Sequence, residues 1–355
     1  MKKGFTLIEL LAVIVILAII ALIATPIVLD IIEDSKNSSI KRSIELYADA
    51  VENSVAKAQL NGNTVPSGKY TTTDGKILTQ GETTIKVDYD GAKTICDVVI
   101  SNKGHIYLEN CSVSDKDVDY TYGNIIYYNG RVVYFDVTTG KTCDNYTESQ
   151  SITGVKDGCM KFYTFNDDGG DKVNLILDHN TTTKVAWVLQ DDYIAAGGTE
   201  SDYGDVGNNN KGPLTVIAQL KSDTSTWDAS LSPRLIEASE IAKITENTTW
   251  NAGGQYYILH TNSESEYEGD AGTNKYAWLF DNTHNCTSYG CNVSDSNIEG
   301  YWTGTAYSGN YNLAWAVSYY GVLNYGNVDN EDGEGDLAFN NGVRPVITVL
   351  KSKLK

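Results

Sequence analysis

The sequence predicts an α+β protein: a long apolar amino-terminal helix, a small antiparallel sheet packed on its outer half, and a second α+β module beyond. Three observations carry this. No polar side chain occurs from Leu10 to Ala24, and apolar character largely resumes after Thr25 and Pro26 as far as Ile32. Ile40, Ile44, Ala48, Val51, Val55 and Ala58 then recur at three- and four-residue steps, the spacing of one helical face. From Val65 the pattern changes to period two, in a chain with 24 tyrosines, 32 glycines and 5 prolines, a balance suited to short strands and turns.

The helix comes first. Nearly twenty apolar positions, rising roughly 1.5 Å each, can span a bilayer core of about 30 Å. Lys2 and Lys3 precede the run, so the amino terminus is expected in the cytoplasm and everything after the helix outside. Beyond the apolar run, Lys41, Arg42, Glu45, Asp49, Glu52 and Lys57 occupy the face opposite the apolar stripe, and Asn61-Gly62 supplies a left-handed cap. One helix from Phe5 to about Leu60 is roughly 80 Å long.

Glu9 is out of place in an ordinary anchor, because a carboxylate inside an apolar helix is costly unless it meets a cation. A secretory signal would end in a small-residue cleavage site after its apolar run, whereas here the small residue, Gly4, precedes it. Gly4-Phe5-Thr6-Leu7-Ile8-Glu9 resembles the leader junction of type IV prepilins and pseudopilins. That resemblance implies cleavage between Gly4 and Phe5 by a prepilin peptidase and N-methylation of Phe5. It further implies pairing of Glu9 with a neighbouring subunit's terminal amine during assembly, and a helix kink at Pro26. Other pilin subunits and an inner-membrane assembly platform are the implied partners. The protein is then expected in the cytoplasmic membrane as a prepilin, with its carboxy terminus outside, and on the cell surface once assembled.

The formal charge is −19, with 27 basic against 46 acidic residues. No basic cluster lies outside the leader and the last few residues, which argues against nucleic-acid binding. Six cysteines fall as local pairs, Cys96 with Cys111, Cys143 with Cys159 and Cys286 with Cys291. An even count outside the membrane points to disulfides. No C-x-x-C occurs, and His284 beside Cys286 is the only histidine at ligand spacing from a pair, so no metal and no cofactor are expected.

Strands are expected over Thr84–Tyr89, Thr94–Ile100 and His105–Asn110, with turns at Asp90-Gly91 and Asn102-Lys103-Gly104, which sets Cys96 nearly opposite Cys111. Arg131–Val137 is a further strand in a connector. The sequence thus divides into a leader (1–4), a spine helix (5–62), a sheet head with connector (63–159) and a second module (160–355). In that module Val173–Leu177 and Val185–Leu189 read as strands, and Pro213–Leu220 and Ala238–Ile244 as short helices.

The last fifty residues hold a second signature: Gly300-Tyr301-Trp302-Thr303-Gly304-Thr305, then Leu313-Ala314-Trp315-Ala316-Val317, a turn at Gly321, and Gly342-Val343-Arg344-Pro345-Val346-Ile347. These strands resemble the C-type-lectin-like fold, in bacterial versions related to formylglycine-generating-enzyme and retroelement-diversified proteins. Trp302, Trp315 and Arg344 sit in the motif strands and are assigned to the fold. The resemblance implies a ligand-binding face within this segment. The binding candidates are Tyr307, Asn310, Tyr311, Asn312, Tyr319, Tyr320, Asn324, Tyr325, Asn327 and Asp329, in a tract whose Tyr, Asn, Ser and Gly are what binding loops use.

No H-e-x-x-h or G-x-S-x-G pattern occurs, and Gly140-Lys141-Thr142 lacks the glycine a phosphate-binding loop needs, since that position is Phe135. An enzyme is not expected. Cys286 and Cys291 could be reactive in the formylglycine-generating manner, but a loop-closing disulfide is the simpler reading. The acidic run Asp329–Asp336 lacks an EF-hand's first ligand, since that position is Val328, and reads as a solvated loop. The expectation is a minor or tip subunit of a type IV pilus that displays a lectin-like module to a surface ligand, protein or glycan. The alternative is a pseudopilin of a type II secretion or DNA-uptake machine.

Overall fold

The computed structural model describes residues 7–101, 104–118, 120–143, 158–181, 184–259, 276–280, 300–319, 321–329 and 341–354; within the first helix, side chains at 8–10, 19–27, 29 and 30 lie outside the description. The chain forms two compact units, the first ending at Asn124 and the second beginning at Ile125.

The first unit is organised on α1 (Leu7–Leu60), a single helix of 54 residues that continues through Pro26. Ile44, Tyr47, Ala48, Val51 and Val55 are buried, as their spacing requires, while Asp49, Glu52 and Lys57 are exposed. Gly62, at φ +80°, closes the helix, its N–H donating to the Gln59 carbonyl at 3.0 Å. Among the described residues no helix is long and apolar enough to cross a membrane. About half of the apolar run of the sequence, including 19–24, falls on positions whose side chains lie outside the description.

Six antiparallel strands follow: β1 (Gly68–Thr73), β2 (Ile77–Gln80), β3 (Thr83–Lys86), β4 (Thr94–Ile100), β5 (Ile106–Val113) and β6 (Lys116–Val118). They lie in the order β3-β2-β1-β4-β5-β6. Alternate residues Tyr70, Leu78, Ile85, Val98, Ile100 and Leu108 are buried against the apolar stripe of α1. Burying each such side chain contributes about 1.5–3 kcal/mol, which fixes the helix on the sheet. The expected strand over 84–89 stops at Lys86, although Val87 still donates to the Lys76 carbonyl at 2.8 Å. The hairpin β1–β2 turns at Asp74 and Gly75, both at positive φ. A Cβ at Gly75 would meet the Thr94 carbonyl oxygen, so only glycine fits that close approach.

The β4–β5 ladder shifts register between Ile95 and Asp97, where β5 carries one extra residue. Asn110 occupies the left-handed region there (φ +50°), and its side chain donates to Asp97 at 2.8 Å. Cys96 and Cys111 are bonded at this bulge, with Cα atoms 4.1 Å apart.

The second unit contains β7 (Val132–Asp136), β8 (Lys141–Thr142), β9 (Cys159–Phe165) and β10 (Lys172–Leu177). Four helices follow, α2 (Gln190–Ala195), α3 (Glu200–Tyr203), α4 (Leu214–Asp223) and α5 (Ala238–Ile244), and then β11 (Tyr257–Ile258). The unit ends with β12 (Gly300–Ala306), β13 (Leu313–Ser318), β14 (Val322–Asn327), β15 (Asn341–Gly342) and β16 (Val346–Leu350). One sheet runs β16-β10-β9-β7-β8 and the other β11-β14-β13-β12-β15. The last strand closes the unit on its early part, with Leu175 opposite Ile347.

Two expectations need correction. The division expected after Cys159 falls after Asn124, because β7 pairs with β9 from Val132–Tyr163 to Asp136–Cys159 and belongs to the second unit's sheet. The strand expected at Val185–Leu189 is an irregular buried segment. Its backbone N–H groups bond outward, from Val185 to the Asn341 carbonyl at 3.1 Å and from Val188 to the Val328 carbonyl at 3.0 Å. A continuously apolar run is as well satisfied by burial on all sides as by a sheet.

The β12–β13–β14 sheet is covered on both faces. Tyr301, Trp315, Val317 and Leu323 pack with Ile236, Ile241 and Ile244, while Trp302, Ala314 and Ala316 pack with Trp187, Tyr193, Val216 and Leu220. Arg344 is fully buried. Its guanidinium donates to the carbonyls of Leu177, Asp178, Trp278 and Leu279 and lies 5.1 Å over the Tyr301 ring. The assignment of Arg344, Trp302 and Trp315 to the fold agrees with this burial.

Candidate functional site

The tyrosine- and asparagine-rich tract is carried by β12, β13 and β14 and their loops, and strand alternation divides it. Trp315 stands opposite Tyr325, and Ala316 opposite Asn324. Tyr325 therefore shares the face of Trp315, while Asn324 lies on the other face, beside the Trp302 cluster. Tyr307 and Tyr325 stack with ring centroids 4.3 Å apart, and both pack edge-on against Trp315 at 5.7 and 5.4 Å. Trp250 completes the cluster, 5.6 Å from Trp315.

Asn310 and Tyr311 lie at the tip of the β12–β13 loop, where Tyr311 is 59% exposed. Asn312 donates to the Asn327 side chain at 3.4 Å, and the Val328 N–H donates to the Asn312 carbonyl at 2.9 Å, which brings the end of β14 to the same loop. Asp329 follows, half-buried, and burial raises its carboxyl above the usual value. Tyr319 sits beyond the other end of β13, six strand residues away, or roughly 20 Å. Tyr320 lies outside the described residues. The structure thus brings together Tyr307, Asn310, Tyr311, Asn312, Tyr325, Asn327 and Asp329, and separates Asn324 and Tyr319 from them.

Sequence reasoning missed the group that holds this loop. Asn209 Nδ2 donates to the carbonyls of Tyr307 at 3.0 Å, Asn310 at 3.1 Å and Leu313 at 2.8 Å, and its N–H donates to Tyr311 at 2.6 Å. A second loop is pinned beside the first. Ser308 N–H donates to the Ala252 carbonyl at 2.9 Å, Trp315 Nε1 to the same oxygen at 3.0 Å, and the Tyr307 hydroxyl to Gly253 at 3.3 Å. A signal for Asn209 exists in the polar, glycine-rich stretch 204–212, but nothing local ties it to a loop about a hundred positions away.

A buried charge cluster of the second unit lies elsewhere. Asp178 is fully buried, with Lys161 Nζ at 3.5 Å and His179 Nδ1 at 3.8 Å. Burial would raise its carboxyl, but a His179 hydrogen bond, the Lys161 charge, Tyr163 and Arg344 together lower it to about 2. Burial beside this carboxylate drives the Tyr163 phenol well above its usual value. The group behaves as a paired interior charge of the fold.

Cys143 and Cys159 are also bonded, with Cα atoms 6.0 Å apart, so two of the three local pairs are disulfides; Cys286 and Cys291 lie outside the described residues. Among the described residues no cluster of three or more His, Cys, Asp or Glu could hold a metal ion. Gly4 and Phe5 lie outside the description, and Glu9 and Pro26 lie on α1 with undescribed side chains.

No curated protein and no solved structure matches the chain. Residues 1–25 match the family model described as the prokaryotic N-terminal methylation motif, a prepilin-type signature.

Proposed function

We propose that this chain is a minor or tip subunit of a type IV pilus, in which α1 packs into the filament and the second unit is displayed for ligand binding. The observation that carries the reading is the methylation motif at residues 1–25 running directly into a 54-residue helix. In this reading a prepilin peptidase cleaves after Gly4 and methylates Phe5. The precursor is held in the cytoplasmic membrane by the apolar run, its bulk outside, and an assembly platform lifts it into the fibre. Glu9 meets the Phe5 amine of a neighbouring subunit, which compensates a carboxylate otherwise costly in an apolar setting. The work is structural and adhesive rather than enzymatic.

The second unit is assigned to the C-type-lectin-like class. The reading is supported by the buried Trp302 and Trp315 on adjacent strands, by the Arg344 clamp, and by closure of the unit through β16 on β10. The binding surface is the end of the sheet around Tyr307, Asn310, Tyr311 and Asn312. Size favours a minor or tip position, since a second unit running from Ile125 to Lys355 is bulky for a fibre built wholly of such subunits. The test is replacement of Glu9 by Ala, expected to abolish incorporation into filaments while the sheet unit still folds. Normal incorporation would contradict the assembly role. A pseudopilin of a secretion or DNA-uptake machine would share the Glu9 effect but would show no loss of surface adhesion on Tyr311→Ala.

A further inference from the structure

We propose that the open edge of β3, with the groove between it and α1, binds an extended acidic strand of another protein chain. The Val87 N–H bonds the Lys76 carbonyl at 2.8 Å and continues the β2–β3 register, in which Ile77 faces Lys86 and Thr79 faces Thr84. Such bonds alternate along an antiparallel pair, so Thr83, Ile85 and Val87 bond to β2, while Thr84 and Lys86 turn their N–H and C=O groups away from it. β3 ends the strand order, and among the described residues no strand pairs with it on that side. The opposite edge of the sheet is closed. There β6 has three residues, and Tyr122 exchanges two bonds of 3.1 Å with Leu108 of β5. An unpaired edge is a ready template for another strand.

The groove beside this edge measures about 550 Å³. Ala50, Ser54 and Ala58 recur at four-residue steps on its α1 wall, so short side chains there let a second backbone approach. Asn53, Asn61 and Asn63 are exposed along it, and among the described residues their side chains make no hydrogen bond, which leaves amides that both donate and accept for a ligand. The helix from Ala50 to Asn61 rises about 16 Å, a length that five extended residues fill. Charge selects the occupant. Lys57 stands on the α1 wall, Lys86 on the β3 wall and Asp88 at one end, where its N–H donates to Ser54 Oγ at 3.4 Å. The groove is thus locally positive on a chain of net charge −19, and among the described residues neither lysine has an ion-pair partner. A strand bearing carboxylates meets both lysines, whereas a basic strand would be repelled by them. In strand addition the main-chain bonds supply affinity and the alternate side chains specificity.

The test uses the full chain in detergent and the fluorescence anisotropy of a labelled peptide of alternating threonine and glutamate, seven residues long, beside versions with glutamine or lysine in place of glutamate. The expected result is saturable binding of the glutamate peptide, at least about tenfold tighter than either counterpart and weaker as salt rises. N-methylation of the peptide amides keeps its charge but removes its N–H donors, so binding should be lost, whereas mere adsorption to surface lysines would persist. Thr84→Pro withdraws an N–H that donates nothing to β2, at an edge where proline is tolerated, and should weaken binding at least about tenfold. Lys57→Gln with Lys86→Gln should abolish the preference for glutamate over glutamine. No binding of the glutamate peptide, equal binding of the lysine peptide, binding kept by the methylated peptide, or binding unaltered by Thr84→Pro overturns the proposal. So does a chain that pairs only with itself and ceases to on Thr84→Pro, since the edge would then serve a second copy.

Discussion

The rings of Tyr307 and Tyr325 lie 4.3 Å apart and within 28° of parallel, although the residues come from a loop and from the strand two places away in the sheet. Their stack stands on Trp315, so one of the two aromatic layers is core and the other is half-exposed. This arrangement separates binding from stability. Tyr325→Ala should lower the unfolding free energy by about 3 kcal/mol, the usual cost of truncating a packed aromatic. Tyr311→Ala should change it by less than about 0.5 kcal/mol. Denaturant titration of both variants checks the contrast; equal losses would refute the layering.

Asn209 is expected to govern the local order of residues 307–313 rather than global folding. Asn209→Ala removes donors from three carbonyls and should cost about 1–3 kcal/mol. Hydrogen exchange should accelerate at the amides of Tyr307 and Leu313, which bond within the loop to Leu313 and Asn310. Unchanged exchange there would show that the loop holds itself.

Asp178 is expected to set the acid limb of stability. Its carboxyl is lowered from 3.8 to about 2 in the folded chain, against burial, by His179, Lys161, Tyr163 and Arg344. A depressed carboxyl stabilises the fold above its unfolded value and loses that contribution as pH falls through the folded one. The loss, on the order of 2 kcal/mol, should therefore appear between about pH 5 and pH 2. Asp178→Asn should destabilise the neutral protein and flatten this limb. An acid limb unchanged in the variant would rule Asp178 out as its source.

The Cys96–Cys111 bond closes a loop with a sequence separation of 15. Loop entropy gives a bond of that span about 3 kcal/mol. Cys96→Ser with Cys111→Ser should accordingly lower the midpoint of thermal unfolding of the sheet unit by several degrees. An unaltered midpoint would mean that β4 and β5 are held by their ladder and by α1 alone.

The sequence carried most of the architecture wherever a local period was strong. The stripe Ile44–Val55 marked the buried face of α1, Asn61-Gly62 marked its end, and α5 falls on Ala238–Ile244 as read. Local pairing of cysteines was enough to find Cys96–Cys111 and Cys143–Cys159. The hairpin β1–β2 was legible but unread: Asp74-Gly75 between a threonine run and Ile77-Leu78 is a strong turn signal. Val185–Leu189 failed for a different reason, because an apolar run states burial without stating backbone geometry. The candidate surface was legible only as composition. Alternation puts Asn324 behind the sheet and strand length carries Tyr319 to its far end, while Asn209 and Trp250 join through contacts that no local pattern encodes.

Membership of a filament requires that the methylation motif be processed. The most direct measurement is the mass of the amino-terminal peptide of the protein taken from its own cells. Prepilin processing predicts a peptide that begins at Phe5 and carries one extra methyl group. A peptide that begins at Met1, or one cut beyond Ala24, would contradict it and leave a membrane-anchored or secreted binding protein in place of a filament subunit.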